Sequence, residues 1–412
     1  MDGDPPTRIA YLVGRYPGLS KSFVLREVQA LRGLGVEVDT FSIWRSTPDQ
    51  LLAETDRAEA ERTLSILPLR IGRTLASHMR ALVASPRAYA GLVAHALGTS
   101  MPGLRGRFLG LSWAIEAPIL WRELRRRGIR HVHAHLPGTA PAVAMLATEF
   151  ANRVGEHQTW SMTVHGPSEF YDVRGQAVGA KVTEADFAVA ISDFGRSQLM
   201  GLVDEGHWDK LHVVHCGVEP NSYPPREPRS EGPLRLVTVG RLAPVKGQAL
   251  LLEAVRELVG KGIDLRLTIV GDGPKREALE AHAERLGVAD AVEFTGAVGQ
   301  DEIAQHYLAA DVYVHASFAE GVPVVVMEAM AHRLPVVATG VMGVRELVRD
   351  GENGLVVRPA RVDELVAAIE RLANDPGERE RMGDAGRRTV EGEYDVTQSA
   401  ALLRDLFSRY AA

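Results

Sequence analysis

The sequence predicts an α/β protein made of two Rossmann-like, doubly wound domains that face each other across a cleft. Three observations predict it. Short apolar runs alternate with helical periodicity along the chain, the pattern of parallel sheets joined by helical crossovers. The alternation stops once, at "EPNSYPPREPRSEGP" (219–233), where Pro, Ser and charge leave no periodicity. Finally, 412 residues are too many for one core. The expected division is a domain at 1–218, a linker at 219–233, a second domain at 234–392 and a closing helix within 393–412.

Taken in order, "RIAYLV" (8–13) reads as a strand ending at a Gly-containing loop, "SFVLREVQALRGLG" (22–35) as a helix and "VEVDTFSI" (36–43) as the next strand. "LASHMRALV", "AYAGLVAHAL" and "FLGLSWAIEAPILWRELRRRGIR" read as amphipathic helices. The strands "HVHAHL", "QTWSMTV", "ADFAVAIS" and "LHVVHCGV" complete the first domain, with helical stretches after most of them. Beyond the linker the alternation restarts with "LRLVTVG", "DLRLTIVG", "AVEFTG", "DVYVHAS", "LPVVAT" and "GLVV". The last segment, "VTQSAALLRDLFSRY", spaces its apolar residues as a docked helix does.

Composition is that of an ordinary globular chain, 45% apolar and 24% charged. A single cysteine, Cys216, excludes an internal disulfide framework and any CxxC metal pattern. No secretory segment and no apolar run of about 18 residues is present. The expected location is the cytoplasm. Net charge is −6, and no nucleic-acid partner is expected. Residues 70–130 depart from that average, with eleven arginines, no lysine and only two acids, Glu116 and Glu123. A solvated helical face is the plainer reading. The sharper one is peripheral contact with an anionic membrane at its inner face.

Ligands of open α/β sheets bind beyond the carboxyl ends of the strands, and pockets favour domain interfaces. The unusual residues fall just after strands. Arg241 and Lys246 lie five apart in a loop that opens a helix, a pair suited to a diphosphate, or else two solvated surface cations. Glu320 and Glu328 stand eight apart in "FAEGVPVVVMEAMAHRLPVVAT". Carboxylates in so apolar a run are costly to desolvate unless something binds them. Gly321 lets a ligand approach the backbone, and the amides following Pro323, at the start of a helix, suit anionic oxygens. A carboxylate accepting vicinal hydroxyls reads a ribose or a hexose. The cations would then hold phosphates, one acid the ribose and the other the sugar.

Other conspicuous residues have plainer readings. His131, His133 and His135 alternate along a strand and share one side, yet no carboxylate or Cys stands at ligand spacing, so they are read as core or site edge. His215 and Cys216 end a strand and are read as packed interior. "GDGP" (271–274) is a tight turn, too short for a dinucleotide fingerprint. No GxGxxG follows the first strand, which disfavours a dehydrogenase.

"GRLAPVKG", "EGVPVVVMEAMAHRLPVVAT" and "GVRELVRDGENGLVV" together resemble the retaining glycosyltransferases of family 4, which have the GT-B fold. "YPGLSKSFVLREVQALRGLGVEV", "HVHAHLPGTAP" and "TVHGPSEFY" are similar to the branch that builds bacterial exopolysaccharides such as colanic acid. The resemblance implies that Arg241 and Lys246 bind the diphosphate of a UDP- or GDP-linked sugar and stabilise the leaving group. It implies that Glu320 contacts donor-sugar hydroxyls and Glu328 the ribose. Backbone at Gly321, Val322, Pro323 and Val324 would serve sugar and phosphate, and Val298 the base. His165 matches a histidine near the reacting centre. The final helix would cross back to the first domain.

Many members carry adjacent glycines in the first loop; here, in "VGRYPGLSKSF", Gly14 and Gly18 are separated. Gly14, Ser20 and Lys21 are the acceptor-side candidates. No metal and no cofactor is expected, since the only Asp-x-Asp pattern, Asp2 with Asp4, precedes the first strand. The acceptor would be a saccharide, lipid-linked or a small molecule such as an aminocyclitol. A glycosyl phosphorylase or synthase on free sugars, and a non-catalytic nucleotide-sugar-binding partner, are the other function classes.

Overall fold

The computed structural model describes residues 8–18, 21–101, 103–135, 138–166, 168–227 and 232–410. The chain divides into two units, one of Met1–Val214 with Thr397–Ala412 and one of His215–Val396. Each is a parallel sheet with helical crossovers.

In the N-terminal unit the strands are β1 (Arg8–Arg15), β2 (Glu37–Trp44), β3 (Leu64–Leu67), β4 (His131–His135), β5 (Thr159–Val164), β6 (Phe187–Ala190) and β7 (Leu211–Val213). They lie in the order β3-β2-β1-β4-β5-β6-β7. The order reverses at the β1/β4 pair, so the crevice of a doubly wound sheet opens at the carboxyl ends of those two strands. Val13 pairs with His135 there. One face of the sheet packs on helices through Leu12, Val132, Ala134 and Met162. The other face receives the final helix, Val396–Tyr410, which buries Ala400, Leu403 and Phe407 against Ile9, Tyr11, Phe187 and Val189. Burying Leu403 and Phe407 contributes roughly 1.5–3 kcal/mol each, which holds this helix on the sheet.

The C-terminal unit contains β8 (Leu234–Val239), β9 (Leu265–Val270), β10 (Val292–Gly296), β11 (Val312–His315), β12 (Val336–Thr339) and β13 (Gly354–Val357). The order is β10-β9-β8-β11-β12-β13, with its switch between β8 and β11. Its core is aliphatic: Leu236, Leu252, Val255, Leu267, Ile269, Val314 and Val337 are all buried.

The structure corrects the sequence reading in four places. β3 was not foreseen; four residues closed by Pro68 give too short a run to stand out. β1 continues through Gly14 to Arg15, because Arg15 pairs with Trp44, so Gly14 belongs to a strand end and not to the loop. "LHVVHCGV" is not one strand. β7 stops at Val213, and Val218 turns to 394–396, accepting from the Val396 amide and donating to the Tyr394 carbonyl at 2.9 and 3.0 Å. The unit boundary therefore falls at Val214/His215. Within the Pro-rich stretch, residue 226 is anchored to the C-terminal unit. Arg226 is buried, its amide bonds the His332 carbonyl at 3.0 Å, and its guanidinium lies 3.6 Å from Asp311.

Candidate active site

In the C-terminal unit, the parallel strands deliver two loops to the β8/β11 switch. The first, 240–247, leaves β8 and carries Arg241 and Lys246. The second, 316–323, leaves β11 and carries Glu320. They are tied together by backbone, the Phe318 amide donating to the Val245 carbonyl at 2.8 Å. Gly247 makes that approach possible. It has φ +65°, and a Cβ there would stand 2.1 Å from the Ala316 oxygen. No side chain fits.

That contact sets Lys246 Nζ 2.6 Å from Glu320 Oε1. The same oxygen lies 2.9 Å from His315 Nε2, at the end of β11. Burial alone would push the Glu320 carboxyl up. The His315 hydrogen bond and charge and the Lys246 ammonium overcome that and hold it at about 2. Glu320 is therefore an anion at any ordinary pH. Since a carboxylate only accepts, His315 Nε2 carries the proton. His315 was absent from the sequence reading. The signal was a polar residue closing an otherwise apolar strand, five positions before the glutamate.

Arg241 is exposed, and its carbonyl accepts from Gln248 Nε2 at 3.1 Å, which anchors its loop to the following helix. Val298 is half-buried in the loop after β10. Gly321 is half-buried, Val322 and Pro323 are buried, and Pro323 caps the helix Val324–Ala331. Glu328 lies in the second turn of that helix and is 1% exposed. Tyr307, from a neighbouring helix, donates its hydroxyl to Glu328 Oε2 at 2.9 Å. Burial and the Glu328 charge push that hydroxyl far above its ordinary value, so it remains a donor. Periodicity gave no sign of this partner, 21 residues earlier in the chain. The "GDGP" turn also has a role here. Gly271 has φ +137°, and a Cβ on it would lie 2.1 Å from the Gly240 oxygen, so this turn packs directly on the Arg241 loop.

The N-terminal unit gathers a second cluster at its own switch. His165, just after β5, is buried and places Nε2 3.0 Å from His135 Nδ1. Its ring lies 4.6 Å from that of Phe23. Burial first, then His135 and the Lys21 charge, hold His165 well below the usual imidazole range, so it is neutral at pH 7. Lys21 thus stands near it; Gly14 lies at the end of β1; Ser20 lies outside the described residues. Glu27 closes the cluster, accepting from Tyr11 at 2.6 Å and standing 3.2 Å from His135 Nε2 without hydrogen-bond alignment. Lys181 is buried nearby, donating to the Gly138 carbonyl at 2.8 Å beyond β4 and lying 5.3 Å over the Trp113 ring.

His131 and His133 are core residues, each held between two hydroxyls of β5. Ser161 Oγ lies 2.7 Å from both His131 Nε2 and His133 Nδ1. Thr159 and Thr163 take the outer nitrogens at 2.8 Å. Folding does supply the carboxylate that the sequence spacing lacked: Glu27, His133 and His135 each bring one ligand atom within 4.8 Å of the others. Both nitrogens of His133 are committed to hydroxyls, however, which leaves that trio short of a free ligand.

Residues 221–389 match the family model described as glycosyl transferases group 1. The chain is 31% identical over 313 residues to the GDP-mannose-dependent α-(1-6)-phosphatidylinositol monomannoside mannosyltransferase of Mycolicibacterium smegmatis. That match covers 71% of this chain and 81% of the mannosyltransferase. It is 36% identical over 169 residues to the α-D-kanosaminyltransferase of Streptomyces kanamyceticus, covering 41% of this chain and 44% of that protein. Among solved structures, Anabaena HepE in complex with UDP superposes with a TM-score of 0.71, over 98% of this chain and all of that one, at 16% identity. On the identity and extent of the mannosyltransferase match, with the family model lying over the C-terminal unit, this chain belongs to the group 1 glycosyltransferases.

Proposed function

We propose that the chain transfers a sugar, with retention, from a nucleotide-diphosphate sugar to a hydroxyl acceptor in glycan or glycolipid assembly. The Lys246–Glu320 pair with His315 carries this reading. It is a fixed cation and a fixed anion side by side at the switch point, where a ligand bearing both phosphate and hydroxyls is met on both counts. Lys246 and Arg241 would receive the diphosphate and stabilise the negative charge that grows on it as the glycosidic bond breaks. Such preorganised electrostatics often supply the largest catalytic term. Lys246 and His315 both bond Oε1 of Glu320; Oε2 would accept from sugar hydroxyls. Glu328 would take the ribose, Val298 the base, and the backbone at Gly321, Val322, Pro323 and Val324 sugar and phosphate. His165, with Lys21, Gly14 and Ser20, would serve the acceptor. The cations supply the charge stabilisation that a metal provides elsewhere, so the reaction would run without one, in the cytoplasm.

The mannosyltransferase's name supports a GDP-linked donor and a glycolipid acceptor. A small-molecule acceptor is the second reading, favoured by 29% identity over 344 residues to the 2-deoxystreptamine glucosyltransferase of Streptomyces kanamyceticus. The test is titration calorimetry against UDP- and GDP-sugars, followed by mass spectrometry of products formed with glycolipid and aminocyclitol acceptors in the presence of a chelator. Binding of one donor and a chelator-resistant product support the proposal. Absence of any nucleotide binding refutes it.

A further inference from the structure

The N-terminal unit presents apolar side chains outward where a globular surface would hide them. On the helix Ile71–Ala84, Ile71, Leu75, Met79 and Val83 are 78, 61, 59 and 81% exposed. They recur every fourth residue and so form one stripe. On the helix Leu104–Arg127, Leu104 and Phe108 are 76 and 71% exposed. The two helices are packed together, His78 Nε2 standing 3.1 Å from the Ile115 carbonyl. Single exposed apolar residues need no explanation, but a set concentrated on two adjacent helices does.

The charge around them says what would cover them. Arg70, Arg80, Arg87, Arg105 and Arg107 are exposed, and no side-chain hydrogen bond or ion pair engages them among the described residues. Four of them adjoin exposed apolar residues directly, as Arg70–Ile71, Met79–Arg80, Leu104–Arg105 and Arg107–Phe108. The only acids in 70–130, Glu116 and Glu123, are 3 and 6% exposed, so these helices supply no exposed anion to offset their cations. A second copy pressed against it would double the uncompensated charge, which argues against self-association. No helix among the described residues is long and apolar enough to cross a membrane.

We infer that this face docks on an anionic lipid bilayer, with Ile71, Leu104 and Phe108 entering the acyl boundary and the arginines meeting the headgroups. Each basic residue near such a surface contributes about 1 kcal/mol, and amphipathic helices bind by adding buried apolar area to that attraction. Both helices begin at the carboxyl edge of the sheet: one leaves β3, and the other runs back to enter β4. Their exposed N-terminal ends therefore lie on the same edge as Lys21 and His165. The inference rests on this surface alone and does not depend on the transfer reading.

The test is flotation of the full chain with phosphatidylcholine vesicles and with mixed phosphatidylcholine–phosphatidylglycerol vesicles. The chain should float with the mixed vesicles only and be released by high salt. Ile71→Asp with Phe108→Asp, and separately Arg105→Glu with Arg107→Glu, should weaken partitioning about tenfold or more. All four sites are exposed, so the variants should melt with the parent; a variant that does not is replaced by Leu104→Asp. Failure of the parent to float, or undiminished flotation of both variants, overturns the inference. So does a parent dimer that the aspartate variant converts to monomer, which would assign the face to a second copy. Retention on an acidic protein surface but not on vesicles overturns it as well.

Discussion

Lys246 and Glu320 are 74 residues apart in sequence, yet Nζ stands 2.6 Å from Oε1. The pair exists because β8 and β11 are neighbours in the sheet. Lys246→Ala removes the cation meant for the leaving diphosphate and leaves the Glu320 charge on His315 alone. Transfer should fall about 100-fold or more, with a modest loss in melting temperature. Glu320→Gln should cost a similar factor in turnover while Lys246 still binds nucleoside diphosphate. Calorimetry and steady-state rates separate the two, and normal turnover by either variant would remove the site.

His315, buried at the end of β11, bonds Oε1 of Glu320 and is expected to position it. His315→Phe takes away one of the two donors on Oε1, so the Glu320 carboxyl should titrate at a higher pH than in the parent. The expected kinetic sign is a rise in KM for the donor with a smaller change in kcat. A loss confined to kcat would contradict this assignment.

Tyr307→Phe deletes the hydroxyl bonded to Glu328 and leaves a buried acceptor short of a donor. The cost should be about 1–3 kcal/mol in denaturant unfolding. If Glu328 receives the ribose, the variant should also bind nucleoside diphosphate less tightly, and saturating nucleotide should recover part of the lost stability. Recovery equal to that of the parent would separate Glu328 from the ligand.

Glu116 gives a pH signature. It is buried, Oε2 finds no hydrogen-bond partner among the described residues, and burial pushes its carboxyl up to about 8. The unfolded chain releases this proton near 4.5 and the folded chain near 8, so the folded form binds more protons between those values. Stability contributed by this residue is therefore lost as pH rises from about 4.5 to 8. Glu116→Gln should match the parent near pH 5 and exceed it by up to a few kcal/mol at pH 8.5. Melting curves across that range decide it, and a parallel offset at all pH values would contradict the assignment.

Much of the candidate site was legible because ligands of this fold bind directly after strands, where a cation or acid interrupts an apolar pattern. Arg241, Lys246 and Glu320 announce themselves that way, and Glu328 as an acid within an apolar helix. Their partners did not. His315 and Tyr307 sit inside regular elements, where a polar residue reads as one more helix or strand position. Gly14 was placed in a loop because glycine usually ends a strand, but pairing with Trp44 carried β1 past it. β7 was drawn too long because Cys216–Val218 has strand-like residues whose backbone partners lie near 395, far along the chain.

The sequence by itself determined two parallel sheets, their helices and the residue types of the site, because periodicity and turn chemistry are local. Only the tertiary structure decided which strand neighbours which, and with that the Lys246–Glu320–His315 and His135–His165 contacts. It also decided that the acids of the Arg-rich helices turn inward and their apolar stripe outward. Those outcomes depend on long-range pairing and on which face a sheet covers, and neither is encoded in any single segment.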